Sequence, residues 1–272
     1  MRQGTINNYI KFSKNFGGVR KCYEGKPTIA VGGFMCEPEL MPAYPNAMAA
    51  GTLVFYDEKK DGRTIVPLYT FKVKSVDASE NKITIEKFET GTIAKVGMKL
   101  LVVGSDLTQA VSNLSTVIAI DSSNADYDVL TVDAVSTGGS TSYTEVTETT
   151  GKNPSTEGWY EDNQGATLST DTTPDAEKTY YKKVVTSGTA FVAQGDVLAE
   201  AQSASVKKIK AIPNGLTYCD NVLDPDAYAI DIDYIWNCME KPVLERRMPP
   251  LTASLKKALR DNECYFRFSN RK

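Results

Sequence analysis

The chain has 272 residues, of which 41% are hydrophobic and 24% charged, proportions typical of a globular protein with a substantial core. Its net charge of -3 argues against a nucleic-acid binder that works through bulk positive charge, and it contains no histidine. Ser-His and Cys-His nucleophile pairs and the usual zinc sites are therefore excluded. Because the sequence also lacks a recognisable catalytic, cofactor or metal-binding motif, we expect no enzyme, no cofactor and no metal.

The five cysteines are widely spaced and include no Cys-x-x-Cys, which favours reduced thiols over a disulfide framework or a zinc site. Residues 1–30 have no continuous apolar core, so we expect no signal peptide. No run approaches the roughly 20 apolar residues that a membrane span needs. These features predict a protein made in the cytoplasm that does not bind a membrane.

Residues 1–51 are rich in Gly, Pro and Asn and predict an extended N-terminal arm, with one strand candidate at 28–31. Aromatic side chains recur along the arm, which indicates that it packs on a protein surface, either its own domain or a neighbouring subunit. The first 50 residues carry six Lys or Arg against three acids, a bias that indicates either a solvated face or a surface that binds an acidic partner. The candidate partner-binding residues here are Arg2, Tyr9, Lys11, Phe12 and Arg20.

Residues 52–135 and 190–272 predict a β core domain. Strands at 52–56 and 63–70 flank a charged turn, and one hairpin pattern then appears twice, at 71–88 and 115–135. In each copy an apolar run ends in Asp-x-Ser and resumes as a β-branched run. Gly97 and Gly195 each open a Gly-x-x-Leu turn into a strong strand, which indicates one barrel that closes after a long insertion.

The C-terminal part of this core predicts strands at 206–212 and 228–236, a helix at 252–261 and a last strand at 264–268. Basic residues cluster around the helix and favour an acidic protein surface over DNA, because the whole chain is acidic. These candidate partner-binding residues are Arg246, Arg247, Lys256, Lys257 and Arg260. The fold class is therefore mainly β: a barrel-like or sandwich-like core with repeated hairpins and one short C-terminal helix.

Residues 136–189 predict an inserted, projecting β subdomain, which begins with a flexible connector rich in Thr, Ser and Gly. The segment offers about three short strands, so its core is small. Its aromatic residues have two interpretations, either as the small core itself or as exposed binding side chains. They are Trp159, Tyr160, Tyr180 and Tyr181.

Two motifs carry a resemblance to known proteins. The segment 153–184 opens with N-P-S-x-x-G-W-Y and closes with S-T-D-T-T-P-x-x-x-K-T-Y-Y, and it resembles a module that recurs as an insertion in bacteriophage capsid and tail proteins. The surrounding frame, with its Gly-x-x-Leu turns and the sequence R-R-M-P-P-L-T-x-S-L-K-K-A-L, is similar to head fibre and capsid accessory (decoration) proteins. Those proteins belong to phages of gut Bacteroidales, including crAss-like phages.

The resemblance implies a non-enzymatic virion protein that sits on the capsid, commonly as a homotrimer, with an outward-projecting part. Its expected partners are the major capsid protein or other virion proteins, and a host-surface glycan is a further candidate. A tail, neck or baseplate component of a phage remains an alternative. A carbohydrate-binding β protein is a second alternative, in which the aromatic side chains of the insertion stack on sugars.

Overall fold

A computed structural model describes residues 21–30, 34–57, 64–137, 140–186, 188–227 and 229–270. The chain divides into two compact units. Unit 1 comprises Met1–Asp77, Asn81–Val135 and Val192–Lys272, and unit 2 comprises Ala78–Glu80 and Ser136–Phe191. The main segment of unit 2 begins at the residue where the sequence predicts the insertion to begin.

Six strands of unit 1 close into a barrel: β5 (Thr70–Asp77), β6 (Lys82–Glu86), β7 (Lys99–Val102), β8 (Ser115–Asp121), β9 (Tyr127–Val132) and β14 (Val197–Glu200). Their order around the barrel is β14-β5-β6-β9-β8-β7. Every neighbouring pair is antiparallel. Apolar side chains at alternate positions of β6 and β9 point inward and are buried, as a two-residue period requires. The predicted mainly β fold and its barrel are confirmed.

The two hairpin copies form matching halves of this barrel. β5–β6 is the first copy and β8–β9 is the second, and each has a register irregularity at the same place in its first strand, after Val73 and after Val117. The halves meet where β6 pairs with β9, and there Ile83 lies directly opposite Leu130, its counterpart in the other copy. Both side chains are fully buried. The barrel therefore has an approximate two-fold axis between Ile83 and Leu130.

The Gly-x-x-Leu turns occupy equivalent corners of the two halves. Gly97 has φ +86° and Gly195 has φ +89°, and a Cβ at either position would meet no atom within 4 Å. Glycine is required there by the backbone dihedral and not by crowding. The Gly97 amide donates to the Val117 carbonyl at 2.8 Å, and the Gly195 amide donates to the Val73 carbonyl at 2.9 Å. At each corner a backbone hydrogen bond therefore joins the start of one strand, β7 or β14, to a hairpin. Strand β14 closes the barrel after the insertion, as predicted.

The rest of unit 1 is an eight-stranded sheet with the order β1-β17-β15-β3-β4-β2-β16, in which β18 pairs with β17. The β2–β4 and β17–β18 pairs are parallel and the other pairs are antiparallel. The strands are β1 (Thr28–Ala30), β2 (Met35–Cys36), β3 (Leu53–Asp57), β4 (Thr64–Leu68), β15 (Gly215–Thr217), β16 (Ile230–Asp231), β17 (Tyr234–Leu244) and β18 (Tyr265–Ser269). Two 3₁₀ turns lie at Pro38–Leu40 and Glu245–Arg247.

Residues 21–30 and 34–50 contribute to the core of unit 1 and include β1 and β2. Phe34, Cys36, Met41 and Met48 are all buried there. Of the two surfaces considered for the arm, its own domain and a neighbouring subunit, this described part packs on its own domain. The arm residues 1–20 lie outside the described part of the chain.

The C-terminal helix α2 (Ala253–Asp261) connects β17 to β18. The Thr252 hydroxyl accepts a hydrogen bond from the Leu255 amide at 3.3 Å and caps the helix. Leu255, Ala258 and Leu259 are buried in a core that also includes barrel residues such as Leu101. The predicted helix and final strand are confirmed.

Two strand predictions in this region are wrong. Residues 206–212 form only a single bridge, between Ala201 and Ile209, because the Val206 amide donates to the Ser203 hydroxyl in a local turn. The predicted strand at 228–236 is interrupted between β16 and β17. β16 pairs with β2, and the Ile232 amide extends that pairing by donating to the Phe34 carbonyl at 3.0 Å. β17 pairs with β1 and β15 instead, so the chain changes strand partners between the two strands.

The described residues of unit 2 form two antiparallel strand pairs and one short helix. β10 (Ser136–Thr137) pairs with β13 (Thr189–Ala190), and β11 (Ser140–Glu145) pairs with β12 (Tyr181–Thr186). Helix α1 spans Pro154–Glu157. Part of the segment predicted as a flexible connector is therefore strand, since β11 pairs along its whole length with β12 and its threonines favour extended backbone.

Candidate functional site

The motif-bearing segment of unit 2 folds around a short capped helix and two buried aromatic rings. The Asn153 side chain accepts a hydrogen bond from the Thr156 amide at 3.3 Å, Pro154 occupies the first turn of α1, and Gly158 ends the helix. The next residue, Trp159, is buried, and its ring lies 5.8 Å from the ring of Tyr180. The N-P-S-x-x-G-W-Y motif thus specifies a capped turn that places a tryptophan in the core.

A polar network closes the other end of the segment. The Lys178 ammonium lies 2.9 Å from Asp171 Oδ2 and 3.1 Å from Glu161 Oε1, and the Tyr180 hydroxyl donates to Asp171 Oδ2 at 2.7 Å. The Ser169 hydroxyl donates to the same Glu161 oxygen at 3.0 Å. The Tyr180 hydroxyl and the Lys178 ammonium hold the pKa of the Asp171 carboxyl below its usual value. Four residues of the closing motif, 169, 171, 178 and 180, therefore stabilise the fold of unit 2 itself.

The four predicted aromatic residues differ in their exposure. Trp159 and Tyr180 are buried, at 3% and 1% exposure, so the expectation that they are exposed binding side chains is wrong and they form the small core. Tyr160 and Tyr181 are half-buried and exchange backbone hydrogen bonds of 2.8 and 2.7 Å. The Tyr143 ring contacts Tyr160 edge-on at 5.1 Å. Hydrophobic packing explains the burial, because a segment this small has few other side chains with which to form a core.

The predicted basic residues of unit 1 fall into two groups. Lys256 and Lys257 have acidic neighbours, since the Lys256 ammonium lies 2.7 Å from Glu245 Oε2 and the Lys257 ammonium lies 2.5 Å from Asp261 Oδ2. Arg246, Arg247 and Arg260 are exposed. The other predicted residues, Arg2, Tyr9, Lys11, Phe12 and Arg20, lie outside the described ranges.

Arginine has an unusual distribution in the described part of the chain. It occurs only at positions 246, 247, 260 and 267, all in the C-terminal region, and all four side chains are exposed. Among the described residues none of these arginines has an acidic partner within ion-pair distance. A guanidinium group is suited to bidentate recognition of a carboxylate, so these side chains are available to an acidic partner.

A cleft of about 590 Å³ lies where the barrel meets the segment Glu245–Leu251, and the sequence analysis did not identify it. Its wall includes the buried ion pair between the Lys87 ammonium and Asp128 Oδ1, 2.9 Å apart. Arg246 and the rings of Phe71 and Phe88 line it as well. The available sequence signal was Asp128, a carboxylate at an inward-facing position of β9 that alternates with Leu130 and Val132.

All five cysteines lie in the described ranges and none forms a disulfide, and four of the five are buried. Burial raises the pKa of the Cys36 and Cys219 thiols to about 12 and that of Cys264 to about 11. Within the described ranges no group of three or more Asp, Glu or Cys side chains is placed to hold a metal ion. In the same ranges no helix is long and apolar enough to cross a membrane.

No protein-family model, curated protein or solved structure matches the chain.

Proposed function

We propose that the protein is a non-enzymatic structural component of a bacteriophage particle. In this proposal unit 1 attaches to the capsid and unit 2 is presented outward, as in a short head fibre or decoration protein. The observation that carries the proposal is the use of the phage-like motif in unit 2. In that motif, Asn153 caps helix α1, and Trp159 and Tyr180 form the core of the unit. Asp171 binds the Lys178 ammonium and the Tyr180 hydroxyl.

Because the motif residues stabilise the fold of unit 2, they support the interpretation of unit 2 as a module that can be inserted into different proteins. The recurring residues maintain a self-contained fold, and the remaining surface residues are free to vary between particles. The pairing of β10 with β13 adds to this argument, because Ser136 lies directly opposite Ala190. The chain therefore enters and leaves the module at Cα atoms about 5 Å apart. A module with adjacent ends can be inserted into a host domain with little disturbance.

The exposed arginines of unit 1 support attachment through its C-terminal region. Shell proteins associate through extended surfaces, and a set of unpaired guanidinium groups contributes specificity toward an acidic surface. Burial of Trp159 and Tyr180 weighs against the carbohydrate-binding alternative, because buried rings cannot stack on a sugar. The immunogold experiment described below distinguishes a tail, neck or baseplate component from a capsid component.

The test compares two variants in cells that assemble the particle. One variant replaces Ser136–Phe191 with a short Gly-Ser linker, and the other carries Arg246→Glu and Arg247→Glu. We expect the deletion variant to be incorporated and the charge-reversed variant to be lost from purified particles. Circular dichroism of each purified variant is the control for folding of unit 1. Loss of the deletion variant together with retention of the charge-reversed one would contradict the proposed division of roles.

Two further experiments measure the position of the protein on the particle and its oligomeric state in solution. Immunogold labelling with an antibody against unit 2 should mark particle heads, whereas label on tails would favour the neck or baseplate alternative. Light scattering should give a solution mass of three times 29.8 kDa, about 89 kDa, for the expected trimer. Absence of the protein from purified particles would refute the proposal as a whole.

A further inference from the structure

The cleft between the barrel and Glu245–Leu251 is large and partly apolar. Its volume of about 590 Å³ lies within the range of about 300–1,000 Å³ that is usual for binding pockets. Val197, Pro250 and Leu251 line the cleft and are half-buried, and Phe71 forms part of its wall. The cleft is therefore large enough to hold a few apolar side chains of a bound segment.

Charge does not decide what this cleft binds. Three ion pairs compensate most of the charged groups in its wall. They are Lys72–Glu86 at 3.0 Å, Lys87–Asp128 at 2.9 Å and Glu245–Lys256 at 2.7 Å. The other two charged residues of the wall, Glu89 and Arg246, have opposite signs. The apolar part of the wall and the path of the chain indicate the occupant instead.

The described part of the chain begins beside this cleft. Tyr23 forms an antiparallel bridge with Val243, and the Leu244 amide donates to the Cys22 carbonyl at 2.6 Å. In an antiparallel pair, the residues that precede one strand follow the direction in which its partner continues. The chain before Cys22 is therefore directed toward Glu245–Leu251, which forms one wall of the cleft.

Met248 of the cleft wall lies close to the point where the described chain begins. A Cβ at Gly51 would be 2.7 Å from the Met248 Cβ and 3.0 Å from the Cys22 Sγ, so these two atoms are within about 6 Å of each other. Phe16 precedes Cys22 by six residues, and six extended residues span up to about 20 Å. Phe16 is therefore within reach of the cleft.

Residues 1–20 lie outside the described ranges, and their sequence suits an apolar cleft. Ile10, Phe12 and Phe16 are apolar, and polar residues occupy the odd-numbered positions between them. This alternation is typical of an extended segment with one apolar face. Two glycines follow Phe16, and they permit the backbone dihedrals that a change of direction requires.

We infer that residues 1–20 of the same chain dock in this cleft, with Phe12 and Phe16 against its apolar wall. Because the segment is attached beside the cleft, its docking is intramolecular, and a short tether gives an effective concentration in the millimolar range. A segment of a neighbouring copy or of another protein has to compete with that concentration. The inference goes beyond the proposed function and does not depend on it.

The first test places a photoreactive side chain in the full-length protein. Phe12→benzoylphenylalanine is irradiated, and the cross-linked peptides are identified by mass spectrometry. We expect cross-links to residues 245–251 or to the barrel side of the cleft, in a product with the mass of one chain, 29.8 kDa. Lys11→benzoylphenylalanine is the matched control and should give at least about fivefold less of this product, because adjacent residues of an extended segment face opposite sides.

Two results of this experiment would overturn the inference. One is the absence of cross-links to the cleft, with products found only elsewhere in the chain or not at all. The other is a cross-linked product of twice the chain mass, which would assign the cleft to the segment of a neighbouring copy.

The second test measures whether the cleft is already occupied. A fluorescent peptide with the sequence of residues 1–20 is titrated with the parent chain and with a full-length variant that carries Phe12→Ser and Phe16→Ser. We expect this variant to bind the peptide at least about tenfold more tightly than the parent, because the attached segment no longer competes for the cleft. A variant with Lys11→Ser and Lys14→Ser changes only polar positions of the segment and should bind like the parent.

A change in the wall of the cleft locates the bound peptide. Leu251→Glu, added to the variant with both phenylalanines replaced, should weaken peptide binding at least about tenfold by placing a charge against apolar side chains. Circular dichroism checks that each variant is folded. Undiminished binding after Leu251→Glu would overturn the inference, as would equal binding by the parent and the phenylalanine variant.

Discussion

The buried ion pair of the barrel gives a quantitative test of this structure. The Asp128 side chain is 2% exposed and that of Lys87 is 11% exposed, and their charged atoms lie 2.9 Å apart. The Lys87 ammonium has three N–H groups and three acceptors, which are Asp128 and the carbonyls of Ser122 and Asn124. Thr92 donates a further hydrogen bond to Asp128 at 3.1 Å. Lys87 therefore has no unsatisfied donor, and among the described residues it is the only cation within ion-pair distance of this carboxylate.

The two ends of the pair should respond differently to substitution. Lys87→Met keeps most of the aliphatic stem but leaves the Asp128 charge buried with only the Thr92 hydroxyl as a partner. Removing one member of a buried pair in this way costs about 3–5 kcal/mol. Asp128→Asn keeps an oxygen that accepts from both Lys87 and Thr92, so we expect a loss of only about 1–2 kcal/mol.

The double variant provides the sharper test. With Lys87→Met already present, Asp128→Asn removes an uncompensated charge, so the double variant should be about 1–2 kcal/mol more stable than Lys87→Met alone. The assay is urea unfolding followed by Trp236 fluorescence in a Trp159→Phe background, since Trp236 is then the only tryptophan. A cost below about 1 kcal/mol for Lys87→Met would refute the reasoning, as would a further loss of stability in the double variant.

Three more predictions concern the units separately. Trp159→Ala should cost about 3–5 kcal/mol and unfold unit 2 while the barrel persists, which limited proteolysis would detect as selective cleavage within unit 2. Because the pKa of Asp171 is lowered in the folded state, its contribution to unit 2 stability is present above the unfolded-state pKa of about 4 and is lost as the pH falls through the folded-state value. An acid titration followed by Trp159 fluorescence in a Trp236→Phe background should therefore become shallower in Asp171→Asn. Gly97→Ala and Gly195→Ala should each cost about 1–2 kcal/mol in urea unfolding, with matching values because the two corners are equivalent.

The barrel could be predicted because its local signals agree with its tertiary structure. Each hairpin copy carries its own turn residues and two-residue alternation, and Gly97 and Gly195 mark the corners directly in the sequence. The 206–212 segment could not be predicted in this way. Its β-branched residues Val206, Ile209 and Ile212 favour a strand, but a hydrogen bond from the Val206 amide to the Ser203 hydroxyl favours a local turn. Propensity does not reveal which of these competing local structures is more stable.

The candidate binding residues could be predicted only in part, because the sequence does not show which competing tertiary contacts form. Aromatic and basic residues were identified correctly by type, but exposure depends on tertiary contacts. Trp159 and Tyr160 are adjacent in sequence, and only the first is fully buried, because it packs on Tyr180. The distinction between Lys256 and Arg260 likewise depends on the position of Glu245, which precedes the helix and reaches only the lysine.

The repeated hairpins also show how a symmetric scaffold acquires one distinctive site. By the pairing of the strands, Asp128 corresponds to Asn81 of the first copy, and Lys87 corresponds to Ala134 of the second. The turn of the second copy is three residues longer, as the sequence offset between the first and second strands of each copy shows. Lys87 fastens this longer turn by donating to Ser122 and Asn124. At the equivalent position in the other half, the Ser115 hydroxyl instead donates to the Ala134 carbonyl at 2.7 Å.

The lysine and its buried carboxylate therefore occur on one side of the two-fold axis only, and that side is the one where the cleft and Arg246 lie. This asymmetry gives the barrel one end that differs chemically from the other.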